Sequence, residues 1–245
     1  MVTTSRPLHT QKELLKRDLA LAFRVLERHG HGFGLAGHIT ARSPGEDSFW
    51  VHYWGLGFDE VCVSDLVRAD MDLNVLEGER AINVALHIHT RIYVANPHIN
   101  TIIHSHPAAT VAFGALGLPL KIYDQSSTLF EDNCANFNEY GGLVVDKAEG
   151  EALAAALANK QVAILQNHGL LATGGNIAEA VIAAIQLERS CALNLAILQS
   201  GQPGIEISPE VARLTRKQIY RPESFLNHWA YHSRRALAAN PDVLQ

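Results

Sequence analysis

The chain has 245 residues, 47% hydrophobic and 18% charged, with three cysteines and a formal net charge of −5. These values exclude disordered, fibrous and disulfide-stapled classes and predict one α/β domain over 1–245, with its core at about 12–200 and a helical tail at about 203–240. A chain this long removes roughly 70–75% of its unfolded surface from water and needs no structural metal, and it has no basic block to neutralise phosphates, so any metal site is functional and small molecules are expected as partners rather than nucleic acid or membrane.

Residues 1–11 are polar, with Arg6 but no apolar stretch behind it, and no apolar run approaches the roughly 18 residues of a membrane span, so a cytoplasmic location is expected. Cys62, Cys134 and Cys191 are odd in number and lack CxxC spacing, which suits isolated thiols in a reducing compartment. Residues 11–29 carry Leu14, Leu15, Leu19, Ala22, Val25 and Leu26 at helical spacing and end at Gly30, predicting an amphipathic helix. Short extended runs follow at 39–42, 49–53, 61–63 and 66–69, with Asp72, Leu73 and Asn74 as a turn. Residues 81–95 return to helical spacing before Pro97, and 101–103 is a β-branched strand. Further on, 149–158 reads as helix, 162–165 as a buried strand continued at 170–173 after a turn, and 176–199 as a long helix capped by Asn176. From Gly201 onward, prolines punctuate two polar helices, the second carrying Phe225, Trp229 and Tyr231, which fit against this subunit or a neighbour alike. The pattern predicts a mixed, mostly antiparallel sheet covered by helices.

Thirteen histidines are present, and their grouping matters more than their number. His104, Ser105 and His106 leave a strand just before Pro107, and residues two apart on a strand share a face, so two imidazoles there can share a cation. His168 also follows an apolar strand, beside Gly169, which lets the backbone turn close to a site. Three neutral imidazoles with a fourth position open suit a catalytic Zn²⁺ or a similar ion. By spacing alone, a pair of hydrogen-bonded turn histidines is the commoner explanation of His104 and His106, and nothing in the spacing ties His168 to them.

The run from His89 through Tyr93 and Pro97 to Thr101-Ile102-Ile103-His104-Ser105-His106-Pro107, followed by Leu165-Gln166-Asn167-His168-Gly169-Leu170-Leu171 and Gly174, closely resembles the class II aldolase/adducin family. Gly37-His38-Ile39-Thr40-Ala41-Arg42 and the segment from Gly55 to Val61 resemble that family's N-terminal segments, and the likeness spans about residues 12 to 200. The resemblance implies an α/β/α sandwich around a mixed, largely antiparallel sheet, and a homotetramer with active sites between neighbouring subunits. It also implies His104, His106 and His168 as ligands of Zn²⁺, with Mn²⁺, Fe²⁺ or Co²⁺ as alternatives.

Two departures from the aldolase pattern stand out. The glutamate that the sugar-phosphate aldolases use for acid/base work is replaced by Ala85, which cannot take a proton and resembles the adducin-like branch. The phosphate-holding Asn of the family's Gly-Asn-x-Ser/Thr segment is replaced by His38, which points to a non-phosphorylated carboxylate or phenolic acid. His89 and Tyr123 are the candidate catalytic residues, His38 and Thr40 the candidate substrate-binding ones. Tyr140, His52, Asp59 and Glu60 are weighed beside them, with packing or solvation as the alternative for each. His87 lies about 200° from His89 on an ideal helix and is expected to be exposed or interfacial. The expectation is a metal-dependent lyase cleaving a C–C bond beside a carbonyl or phenol oxygen, an atypical aldolase or a decarboxylase. A non-catalytic adducin-like binding module and a mononuclear non-haem iron oxygenase are the alternatives.

Overall fold

The computed structural model describes residues 10–142 and 146–245, so most of the polar N-terminal stretch discussed above lies outside the described residues. Helix α1 (Gln11–Glu27) starts where the sequence supplies a reciprocal cap: the Glu13 amide donates to Thr10 Oγ1 and the Thr10 amide to the Glu13 carboxylate. Its stripe of Leu19, Ala22, Val25 and Leu26 is buried. Strands β1 (His38–Ala41), β2 (Ser48–His52), β3 (Leu66–Asp70) and β4 (Val75–Glu77) follow, then α2 (His87–Ala95), β5 (Thr101–Ser105), α3 (Ala108–Gly114) and β6 (Cys134–Phe137). The chain continues through α4 (Lys147–Leu157), β7 (Val162–Leu165), β8 (Gly169–Gly174), α5 (Ile177–Gln199), α6 (Pro209–Ile219) and α7 (Pro222–Ala239).

The eight strands form one sheet in the order β4-β3-β2-β1-β5-β8-β7-β6. Every pairing is antiparallel except β6 with β7, so the sheet is mixed and mostly antiparallel. Alternation along the strands sorts side chains to two apolar layers. Ile39, Ala41 and Ile103 join α1, α5 and α7 in one, while Phe49, Val51 and Ile102 join Ile88, Ile92 and Tyr93 of α2 and Leu153 and Leu157 of α4 in the other. This is the α/β/α sandwich. The alternation also decides where the polar residues go: His38 and Thr40 of β1 and His104 of β5 share the α2 face, and Ser105 points the opposite way.

Local chemistry accounts for the differences from the predicted elements. Residues 61–63 are not a strand; a 3-10 turn at Val63–Asp65 takes their place, held by the Cys62 amide on the Asp65 carboxylate at 2.8 Å. The helix expected from residue 81 begins at Val84 as a 3-10 turn because Asn83 caps the Ala85 amide, and α proper starts at His87. Three short elements, β4, α3 and β6, carry too few periodic residues to stand out in sequence. Helix α5, with 23 residues, is long and apolar enough to cross a bilayer, contrary to the sequence expectation, but half of its most apolar window is buried inside the fold. In the tail, Phe225 and Trp229 pack into this chain's own core, whereas Tyr231 is exposed.

Candidate metal centre

His104 is the penultimate residue of β5, His106 follows directly after its last residue, Ser105, and His168 sits in the turn between β7 and β8, the strand next to β5. Three local features aim them at one point. Asn167 adopts a left-handed conformation (φ 56°), which Asn tolerates better than most residues, and the turn closes with the His168 amide on the Leu165 carbonyl at 3.2 Å. Gly169 lies so close to β5 that a Cβ there would strike the Ser105 carbonyl oxygen and stand 2.7 Å from His106 Cδ2. Finally, α3, which starts directly after Pro107, is anchored by Glu188 of α5, whose carboxylate accepts from the Ala109 amide (2.9 Å) and the Thr110 amide (2.8 Å).

One ligand atom from each of the three histidines lies within 4.8 Å of the other two. His104 Nδ1 donates to the Leu170 carbonyl at 2.9 Å, which leaves Nε2 bare and able to ligate. That Nε2 is 3.0 Å from His106 Nε2, near the ~3.3 Å between two nitrogens on a tetrahedral ion with bonds of about 2.0–2.1 Å. Burial, then the neighbouring histidines, pushes the His104 pKa well below its ordinary value; burial and His168 push that of His106 down to about 4; burial lowers that of His168. Among the described residues, no carboxylate is among the groups that shift these rings. Neutral imidazoles with converging lone pairs are what a divalent cation needs, so the residues fit a metal.

A second histidine layer stands behind the first. His38 pairs directly with His104 across β1 and β5, with ring centroids 5.0 Å apart. His38 Nδ1 is 2.8 Å from His89 Nε2, and His89 Nδ1 is 2.7 Å from Thr40 Oγ1. Burial first, then histidine neighbours, holds the pKa of both His38 and His89 well below the usual range. Ala85, also buried, lies one turn before His89.

The structure revises several sequence assignments. Thr40 has no accessible surface and its hydroxyl lies between His89 and Tyr93, so it does not face a substrate as expected. His89 is equally sealed, with both ring nitrogens engaged, which makes it a support for His38 and not a group that touches a reactant. Tyr123 packs against Gly204 beside Ile197, not beside the three histidines; in its stead Tyr140, 56% exposed, stands with its ring centroid 6.1 Å from that of His168. His52 is buried edge-on to Phe23, and Glu60 closes a turn by accepting from the Gly57 amide at 2.8 Å. His87 is half-buried toward α4, where its carbonyl lies against Gly150. Tyr93, which the sequence offered only as part of a motif, proves to close the polar chain behind His38; its i, i+4 spacing from His89 was the available signal.

Comparison with known proteins agrees with this geometry. A family model described as "Class II Aldolase and Adducin N-terminal domain" matches residues 17–195. The decarboxylase NovR of Streptomyces niveus is 33% identical over 94% of this chain and 86% of its own length. A 4-hydroxy-3-prenylphenylpyruvate oxygenase/4-hydroxy-3-prenylbenzoate synthase of Streptomyces roseochromogenus subsp. oscitans is 32% identical over 94% and 84%. Among solved structures, an L-fuculose 1-phosphate aldolase from Glaciozyma antarctica PI12 superposes with a TM-score of 0.86 at 30% identity, covering 99% of this chain and 98% of that one. By fold, by motif and by kinship, the chain belongs to the class II aldolase and adducin family.

Proposed function

We propose that this protein is a metal-dependent lyase that breaks a C–C bond beside a carbonyl or phenol oxygen in a small, non-phosphorylated hydroxy-acid, with a phenolic acid as the favoured substrate and decarboxylation as the favoured reaction. The observation that carries the proposal is the convergence of His104, His106 and His168 on one point beside a wall of neutral histidines, with Ala85 where the sugar-phosphate aldolases keep their carboxylate. A divalent ion held by the three imidazoles, Zn²⁺ first and Mn²⁺, Fe²⁺ or Co²⁺ as alternatives, supplies Lewis-acid polarisation of substrate oxygens. The chain's own residues do the rest. In decarboxylation the bond to the carboxylate carbon breaks, CO2 leaves, and the electron pair left behind takes a proton. With no carboxylic acid at Ala85, that proton comes from an imidazole, a phenol or water. Tyr140 beside His168 is the side chain placed to hold it, and His38 beside His104 is placed to accept a proton from a substrate hydroxyl. Replacement of the phosphate-holding Asn by His38 favours a carboxylate or hydroxyl over a phosphate.

The decarboxylase name of one relative supports this reading, and the oxygenase name of another favours a second one: iron at the same three histidines in an O2-consuming reaction. A small-molecule partner, a homotetramer and a cytoplasmic location complete the proposal. The test is a panel of hydroxybenzoates, dihydroxybenzoates and 2-hydroxy acids, run with the protein loaded separately with Zn²⁺, Mn²⁺ and Fe²⁺, following CO2 release and O2 uptake together. CO2 release without O2 uptake, abolished by EDTA, is expected. O2 uptake coupled to product selects the oxygenase reading, and a metal-loaded protein inert to every compound while binding a protein partner selects the adducin-like module.

A further inference from the structure

Behind His38 runs a buried chain of polar groups with no charge in it. His38 Nδ1 meets His89 Nε2 at 2.8 Å, His89 Nδ1 meets Thr40 Oγ1 at 2.7 Å, Thr40 Oγ1 meets Tyr93 Oη at 2.8 Å, and the Tyr93 hydroxyl donates to the Asn100 carbonyl at 3.3 Å. All four side chains are at most 2% exposed. His38 Nε2, the one ring nitrogen outside the chain, is bonded to no described residue and is not sealed from solvent.

Such a chain has two end-to-end directions, because each link carries one proton; a broken chain, with Tyr93 donating to Asn100 and Thr40 to His89 Nδ1, makes only three bonds. In the first, Tyr93 donates to Asn100, Thr40 to Tyr93, His89 Nδ1–H to Thr40 and His38 Nδ1–H to His89 Nε2, which makes four hydrogen bonds and leaves His38 Nε2 bare. In the second, Tyr93 donates to Thr40, Thr40 to His89 Nδ1 and His89 Nε2–H to His38 Nδ1. This makes three bonds and leaves His38 with an Nε2–H that finds no protein acceptor. The first direction is preferred by one hydrogen bond, the one from Tyr93 to Asn100, since water can pair with His38 Nε2 in either form. The Asn100 carbonyl also accepts from the Arg42 amide at 2.9 Å and is itself held in place by the sheet, so the far end of the chain is fixed.

We propose that Thr40 and Tyr93 are positioning residues that set the tautomer of His38, so that it presents a bare Nε2 to the site as an acceptor. Resting on the lyase reading, this gives the site a place for a substrate hydroxyl: an O–H beside His104 donates to His38, whereas an ether or a second acceptor there finds no partner. Neither Thr40 nor Tyr93 touches the substrate, and both act through His89.

The decisive experiment reads the tautomers directly and needs no substrate. The full-length chain, labelled with ¹⁵N histidine and dialysed against EDTA so that no ion competes for a ring nitrogen, is examined by long-range ¹H–¹⁵N NMR at pH 7.5. In the unaltered protein His38 and His89 are both expected in the Nδ1–H form, in excess by about fivefold or more. Tyr93→Phe removes the acceptor of the Thr40 hydroxyl; Thr40 then donates to His89 Nδ1, and both rings switch to Nε2–H. Thr40→Val produces the same switch and serves if Tyr93→Phe does not fold, and Thr40→Ser restores the original form. A merely structural role for Tyr93 moves neither tautomer. Identical tautomers in the unaltered protein and the folded Tyr93→Phe or Thr40→Val variants, or Nε2–H in the unaltered protein, would overturn the proposal. Failure of the lyase reading leaves these spectra unchanged, so the two can fail separately.

Discussion

Gly169→Ala probes the joint on which the three-histidine site depends. The backbone at Gly169 has no positive φ, so its need for glycine is steric: the new methyl would collide with the Ser105 carbonyl oxygen and come within 2.7 Å of His106 Cδ2. The first obstacle is backbone in a central strand and cannot swing aside as a flexible side chain can, so β5 and the β7–β8 turn must separate. Overpacking of this kind costs about 1–3 kcal/mol, which for a chain of this size lowers Tm by roughly 2–6 °C. Since His104 and His106 flank Ser105, the same displacement misplaces the ligands, and a tenfold or greater loss of metal affinity is expected. Gly175→Ala is the control, because its Cβ would meet the movable Glu179 carboxylate at 3.3 Å and the His98 carbonyl at an ordinary contact distance of 3.9 Å. Scanning calorimetry and metal titration on both variants check this. A Gly169→Ala protein with the Tm and metal affinity of the unaltered chain would refute the close-approach argument.

Three further outcomes are expected. Burial lowers the pKa of His52 to about 4 in the folded chain, below the unfolded value near 6.5, so the unfolded state takes up the proton first and stability falls as pH drops from about 6.5 to about 4. The His52 contribution is about 3 kcal/mol across that window, and His52→Phe, which keeps the contacts with Phe23 and Phe58, flattens the acid limb in urea melts at stepped pH. Arg24 is 5% exposed and donates to the Val61 and Glu60 carbonyls at 3.0 Å each and to Asp242 at 2.8 Å; Arg24→Met strips these acceptors and costs about 2–4 kcal/mol in chemical denaturation. Glu188→Ala removes the acceptor for the Ala109 and Thr110 amides at the start of α3, directly after His106, and is expected to cost about 1–3 kcal/mol while weakening metal binding in titration calorimetry.

Much of the fold was legible because its signals are local. The apolar stripe from Leu14 to Leu26 announces α1, Asn176 announces α5, and the β-branched run of 101–103 announces β5, each through chemistry confined to a short stretch of chain. Elements that depend on partners far along the chain were not. Strand β6 has one β-favouring residue, Phe137, in Cys134–Phe137 and exists because β7 pairs with it, and the 61–63 run yields to the Asp65 side chain. At the site, the HxH pair and His168 were visible as motifs, but their convergence depends on β5 and β8 being neighbours, which no spacing reveals. The same holds for Thr40: its register beside His89 and Tyr93, on the inner face of β1, turned an expected substrate contact into an interior link. Tyr123 was preferred to Tyr140 in sequence, but the path of the chain after α3 brings Tyr140 to His168.

The central claim is that His104, His106 and His168 hold one divalent ion. Elemental analysis of the protein purified without a histidine tag, alongside His106→Ala, tests it most directly. The account predicts close to one ion per chain in the unaltered protein and loss of most of it in the variant, at an unchanged fold by circular dichroism. A folded His106→Ala protein with undiminished metal content, or an unaltered protein that takes up no Zn²⁺, Mn²⁺ or Fe²⁺ when these are supplied, would contradict it.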